Sequence, residues 1–195
     1  IMDFDLLFEE FPKRIIPYDY DAYAKNSGRY EMVATNCTTG CAEYFEEKSD
    51  PERIIDIVRA SSSLPFVTPI SYVDGRPMLD GGIADSIPVV RATEQGFDNC
   101  LVVLTRNAGY RKSAKPSFVP WFAYRRYPML QEAIRHRNAE YNKQMELVER
   151  LESEGRITVI RPERPIEVGR MERDTHRLLA LYNEGYDIAS KVEIG

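Results

Sequence analysis

The sequence contains no run of about 18 apolar residues, so no segment is long and apolar enough for a membrane-crossing helix. Cysteine is scarce. Cys37, Cys41 and Cys100 are the only three in 195 residues, an odd number in a chain of ordinary size. That excludes a disulfide framework as the expected source of stability and points to a reducing, cytoplasmic setting. Other soft metal ligands are as few, since only His136 and His176 join the Cys37 and Cys41 pair, far off along the chain. No zinc site is expected, and the thiols read as small buried hydrophobes or incidental groups. Positive charge is not in excess either. A net charge of −5 excludes a general nucleic-acid binder, which needs a cationic surface to displace counterions from phosphate. Also missing are a Gly-x-x-x-x-Gly-Lys phosphate loop, a dinucleotide glycine fingerprint after a strand, and the Gly-x-Ser-x-Gly elbow that exposes a nucleophilic serine. No cofactor is implied, and no internal repeat or low-complexity segment is visible.

What is present is the composition of a globular protein: 43% hydrophobic and 29% charged residues in a length suited to one domain with a buried core. The chain opens on Ile1 rather than methionine, and two expectations stay open: a processed start, or a piece of something longer. Phe4, Leu7, Phe8 and Phe11 repeat at helical spacing after Asp3, predicting a short amphipathic helix closed by Pro12. Tyr30 to Asn36 reads as a strand ending at Thr38, Thr39 and Gly40, with Tyr44 and Phe45 on a short returning strand. Asp50-Pro51-Glu52 starts a helix, and Ile54, Ile55, Ile57 and Val58 predict that it is buried. Asp74-Gly75, flanked by Ile70 to Val73 and Arg76 to Leu79, is a tight hairpin. A short helix from near Pro88 to Gly96 precedes Leu101 to Thr105, a run suited to a buried parallel strand. A long helix then runs to about Gly155, with Leu130, Ile134, Tyr141, Met145, Val148 and Leu151 on its inner face. Ile157 to Ile160 makes another strand, and Glu172 to Lys191 a closing helix. Helices alternating with short apolar strands imply a layered α/β fold.

Leu79-Asp80-Gly81-Gly82-Ile83-Ala84-Asp85-Ser86-Ile87-Pro88 is the most informative stretch. An acid followed by two glycines at a strand end can be brought close to a reacting group without steric crowding. Asp80 is therefore a candidate catalytic acid or base, and the competing reading of the same residues is a simple turn. Asp80 and Asp85 could also be imagined as paired glycosidase acids, although sequence separation does not establish the spatial gap that chemistry needs. Ser61, Ser62 and Ser63 follow a helix, the wrong side for a nucleophile elbow. His136, in a charged run, and His176, near a helix start, read as solvated surface.

Between residues 107 and 128, Arg111, Lys112, Lys115, Arg125 and Arg126 interleave with Phe118, Trp121, Phe122, Tyr124 and Tyr127. Aromatics beside cations suit a lipid headgroup boundary or an acidic partner. They suit equally a loop that packs its rings on the domain while its charges face water.

One ordered set of short motifs resembles the patatin-like phospholipases, in particular their bacterial branch. It comprises Ala34-Thr35-Asn36 with Thr39-Gly40, then Ala60-Ser61-Ser62-Ser63-Leu64-Pro65-Phe66 with Pro69, then Asp80-Gly81-Gly82 with Ile87-Pro88. Ser86 stands where many members carry asparagine. The resemblance implies a partial three-layer α/β/α sandwich, with residues 1–195 forming the C-terminal portion of a single patatin-like domain. It further implies a serine-aspartate lipid acyl hydrolase acting on lipid or acyl esters without a histidine. Asp80 would be its base, and Gly81 and Gly82 would shape its loop. The family's nucleophile elbow and oxyanion loop normally precede everything seen here, so the chain alone is expected to be inactive and to need that missing N-terminal segment. The alternatives are a non-catalytic lipid-binding or interaction domain of the same fold, and an acyltransferase. Peripheral membrane contact near Trp121 is a further expectation, as is homo-oligomerisation through sheet edges left bare.

Overall fold

The structure is a computed structural model describing residues 3–97, 99–169 and 172–192. The chain divides into two compact units, Ile1–Ile87 with Ser113–Tyr141, and Pro88–Lys112 with Asn142–Gly195.

In the first unit, strands β1 (Met32–Asn36), β2 (Ala42–Phe45), β3 (Ser71–Val73) and β4 (Arg76–Asp80) form one sheet of order β2-β1-β4-β3. Every pairing in it is antiparallel. The β3–β4 hairpin turns on Asp74 (φ 52°) and Gly75 (φ 74°), the two positive-φ positions that match the right-handed twist of the flanking strands. Helix α2 (Pro51–Ser61) begins where the Asp50 carboxylate accepts the amides of Glu52 and Arg53, with Pro51 at the first helical position. Its Ile57 and Ala60 pack on Met32, Ala34, Phe45, Val73 and Met78 from all four strands. Because successive strand residues point to opposite faces, Leu79 joins the other side. There it packs with Cys37, Ile83, Val119, Leu130 and Ile134. Leu130 and Ile134 lie on α4 (Pro128–Ser153), so a helix covers each face of the sheet and the unit is an α/β/α sandwich. Burying each such aliphatic side chain stabilises the fold by roughly 1.5–3 kcal/mol.

The second unit holds α3 (Val89–Glu94), the two-stranded parallel sheet β5 (Cys100–Val103) with β6 (Ile157–Ile160), and α5 (Thr175–Ala189). The C-terminal half of α4 contributes the buried Met145, Val148 and Leu151. All six residues expected on the inner face of α4 are buried.

Four expectations need correction. The N-terminal helix does not stop at Pro12 but continues as a π-type helix over Leu6–Ile15 with the proline inside it. The wider turn, seen in the Ile16 amide donating to the Phe11 carbonyl (2.9 Å), relaxes the i−4 clash that makes proline a helix breaker. The β5 strand is parallel but not buried, since Leu101 and Val103 are exposed on a sheet of only two strands. The closing helix is shorter than Glu172 to Lys191, since α5 spans Thr175–Ala189, and it buries none of its residues. Finally, the 107–128 segment folds only some of its rings inward: Tyr124 and Tyr127 pack half-buried against the core beside the buried Val119, whereas Phe118, Trp121 and Phe122 are 84%, 76% and 63% exposed. Among the described residues no helix is long and apolar enough to cross a membrane.

Candidate functional site

The three motif segments singled out in the sequence converge at the end of β4. In the β1–β4 register Ala34 faces Asp80, Thr35 faces Leu79 and Asn36 faces Met78. The Asp80 amide donates to the Ser63 carbonyl (2.8 Å), tying the segment after α2 to the same point. The Thr35 hydroxyl donates to the Asp80 carbonyl (2.8 Å) and accepts the Ala84 amide (3.3 Å). Residues 45 positions apart are thus locked together by backbone pairing and one hydroxyl.

Beyond Asp80 the chain makes a single 3-10 turn over Gly81–Ile83. The Asp80 carboxylate accepts the Gly82 amide at 2.7 Å, which fixes the orientation of a half-buried acid. Gly81 is sterically required, whereas Gly82 is crowded only by a side-chain end. A Cβ on Gly81 would lie 2.5 Å from the Val33 carbonyl oxygen and 2.9 Å from the Val33 Cβ, and one on Gly82 would lie 2.8 Å from Asp80 Oδ1. The rest of the loop is closed by its own contacts. The Asp85 amide donates to the Gly81 carbonyl (2.8 Å), the Ser86 hydroxyl donates to the Gly82 carbonyl (2.8 Å), and the Tyr44 hydroxyl donates to Asp85 Oδ2 (2.6 Å). Ser86 thus serves as a brace within the loop. Asp85 is tied to a tyrosine, which gives no support to a paired-acid glycosidase arrangement.

The turn between β1 and β2 is built as tightly. Asn36 Oδ1 accepts the amides of Thr38 (2.8 Å) and Thr39 (3.2 Å), a side-chain mimic of a backbone turn. Gly40 takes φ 71°, and a Cβ there would sit 2.6 Å from the Met129 carbonyl oxygen.

The Ser63 hydroxyl is committed elsewhere. Ser63 is fully buried and donates to the Arg59 carbonyl (2.8 Å), so in its 2.7 Å contact with Ser71 the proton comes from Ser71. Ser63 is a structural hydroxyl that ties the end of α2 to β3. His136 lies exposed on α4 beside Glu132 (2.7 Å), and His176 stands exposed in the first turn of α5. Burial pushes the Cys37 thiol up to about 12, which keeps it protonated and inert. Among the described residues no three His, Cys, Asp or Glu side chains gather as metal ligands. A cavity of about 930 Å³ lies in the second unit between residues 163–168 and α5, and its lining includes none of the Asp80 loop.

The chemical capacity of the arrangement is that of an oriented, half-buried carboxylate at a strand end, able to accept a hydrogen bond or a proton. Thr35 and Ser63 stand in the motifs the sequence singled out, but that they and Tyr44 support the Asp80 turn is not legible there, because each acts across a tertiary contact.

Residues 6–93 match the family model described as patatin-like phospholipase. This segment, which holds the four-stranded sheet, α2 and the Asp80 loop, belongs to the patatin-like family. Residues 127–192 match a second model, a domain of unknown function designated DUF6363. Among individual proteins, the chain is similar to the uncharacterized protein YjjU of Escherichia coli (strain K12), at 27% identity over 172 residues. That match takes in 85% of this chain and 47% of YjjU, so the chain spans about half the length of the curated relative it matches.

Proposed function

We propose that this chain is the aspartate-bearing portion of a serine-aspartate lipid acyl hydrolase, with Asp80 as its general base. The observation that carries the reading is the Asp80 turn itself. A half-buried carboxylate oriented by the Gly82 amide stands at the end of β4, on a turn that Gly81 lets pack against Val33, within a segment of the patatin-like family.

In this mechanism Asp80 accepts the proton of a serine hydroxyl as its oxygen bonds to the ester carbonyl carbon. The carbonyl oxygen takes up the negative charge, which backbone amides must stabilise. When the carbon–oxygen bond to the alcohol breaks, the proton passes from Asp80 to that leaving oxygen. Water then repeats the cycle on the acyl-enzyme, and the fatty acid departs. The 195 residues contain no Gly-x-Ser-x-Gly, and the proposal assigns the nucleophile and the oxyanion donors to sequence outside them.

The test compares a p-nitrophenyl acyl ester assay on the parent protein, on its Asp80→Asn form and on the 195-residue chain. Loss of the base lowers kcat by about 10²–10⁴-fold, and the chain alone is silent. Undiminished turnover in Asp80→Asn removes Asp80 from the mechanism and leaves a lipid-binding module of the same fold as the better reading. Products formed with added glycerol or lysolipid separate a hydrolase from an acyltransferase.

A further inference from the structure

The loop before α4 presents its largest rings to solvent. Phe118 and Trp121, at 84% and 76% exposed, are more open than a groove or a packed loop permits, so they protrude. They are held there. Val119 between them is buried, the Ala123 carbonyl accepts the Gln131 side chain (2.6 Å), and the Tyr124 hydroxyl accepts the Phe66 amide (2.8 Å). The Phe66 and Tyr124 rings meet at 5.3 Å with a 45° tilt, and both residues take positive φ, 66° and 55°. Bulky residues rarely occupy that region, and strain of this kind gathers at functional segments. Phe66 and its neighbour Val67 are themselves 51% and 62% exposed, which extends the apolar surface to a second loop.

Charge identifies the occupant. The chain carries −5 overall, yet residues 107–128 contain five Lys and Arg residues and no Asp or Glu. In the first unit Arg125 lies 5.5 Å over the Trp121 ring, and Arg125, Arg126 and Lys115 are all exposed. Among the described residues neither Arg125 nor Arg126 has a carboxylate partner. Protruding Trp and Phe rings flanked by unpaired cations are matched by a bilayer whose headgroups are negative, with the rings at headgroup depth and the arginines on phosphate.

We propose that the loop formed by residues 115–126, with Phe66 and Val67 beside it, docks this protein onto an anionic lipid surface. The inference stands independently of the catalytic reading and is tested without turnover.

Trp121 is the only tryptophan in the chain, so its emission reports the contact directly. The chain is mixed with vesicles of equal parts phosphatidylglycerol and phosphatidylcholine, or of phosphatidylcholine alone. Docking shifts Trp121 emission to shorter wavelength on the anionic vesicles only, brominated lipid quenches it, and salt reverses the effect. At about fivefold per basic residue near the surface, Arg125→Gln with Arg126→Gln weakens cosedimentation with anionic vesicles by about thirtyfold. Sedimentation is used for that pair because Arg125 itself touches the reporter ring. Phe118→Ala with Phe122→Ala keeps the charges and abolishes cosedimentation with anionic vesicles, which is the readout here too because Phe122 packs edge-on against Trp121. Unchanged emission and quenching of the unaltered chain on anionic vesicles overturn the proposal. Equal binding to both vesicle types, indifferent to Arg125 and Arg126, overturns the anionic assignment. A shift that grows with protein concentration without lipid, together with sedimentation as a dimer, shows that a second copy covers the rings instead and overturns it as well.

Discussion

Replacing Gly81 by alanine tests how tightly the candidate site is built. Gly81 is buried, and the added methyl would sit 2.5 Å from the Val33 carbonyl oxygen, 2.8 Å from its carbon and 2.9 Å from the Val33 Cβ. All three atoms belong to a residue beside β1's pairing with β4, so no flexible side-chain end can give way. Restoring ordinary contact requires a shift of about 1 Å. That movement strains the Ala34–Asp80 pairing and the bonds from Thr35 to the Asp80 carbonyl and from the Asp80 amide to Ser63. Overpacking of this sort costs about 1–3 kcal/mol and each weakened bond about 1 kcal/mol. The reduced freedom of the unfolded chain returns about 0.4–1 kcal/mol. A net loss of about 3 kcal/mol is expected, lowering Tm by roughly 6–12 °C for a chain of this length. Gly82→Ala is the matched control. Its methyl meets only Asp80 Oδ1, which can rotate away, so it costs less than about 1 kcal/mol while displacing the carboxylate. Urea unfolding followed by far-UV circular dichroism gives both values. If Gly81→Ala falls within about 0.5 kcal/mol of the parent, or if Gly82→Ala is the more damaging of the two, the steric argument is refuted.

Three further outcomes follow from the same structure. Leu130→Ala removes a fully buried side chain from the α4 side of the sheet and lowers unfolding free energy by about 2–5 kcal/mol, whereas Trp121→Ala on the exposed loop leaves it within about 0.5 kcal/mol. In native protein Ellman's reagent modifies the exposed Cys41 promptly and leaves the buried Cys37 untouched until denaturant is added. The third concerns pH. Bonds from the Ser49 amide and hydroxyl, joined by Arg53, lower the Glu47 carboxyl to about 2. Because the folded value lies below the unfolded one, this stabilisation is complete above about pH 4.5 and is lost as pH falls towards 2. Allowing for its partial exposure, Glu47 contributes roughly 2 kcal/mol. Denaturant titrations at pH 5 and pH 3 show the loss in the parent protein and a smaller one in Glu47→Gln.

Much of the fold was legible because its signals are local. Asp50-Pro51 starts α2, Asp74-Gly75 turns the hairpin, and the repeat of Leu130, Ile134, Tyr141, Met145, Val148 and Leu151 marks the buried face of α4. Each depends on backbone preferences or on a helical period within a few turns. Pro12 misled for the opposite reason. Its effect depends on the width of the turn around it, which residues farther along the chain help to set. The Asp80 stretch was legible as residue types, an acid before two glycines. The steric need for Gly81, and for Gly40 in the β1–β2 turn, was not, because the atoms that crowd them belong to Val33 and Met129.

By itself the sequence determined the order of the elements apart from the short helix α1 (Tyr20–Lys25), the buried faces of α2 and α4 and the candidate acid, since periodicity, capping and turn chemistry act over short separations. Only the tertiary structure decided that β1 and β4 pair so as to set Asp80 opposite Ala34, and that Thr35 and Ser63 serve it as braces. It also decided that Phe118, Trp121 and Phe122 face outward. Strand partners and ring orientation are chosen by which surfaces remain uncovered once the sheet and its two helices have packed, and that choice is a property of the whole assembly rather than of any segment.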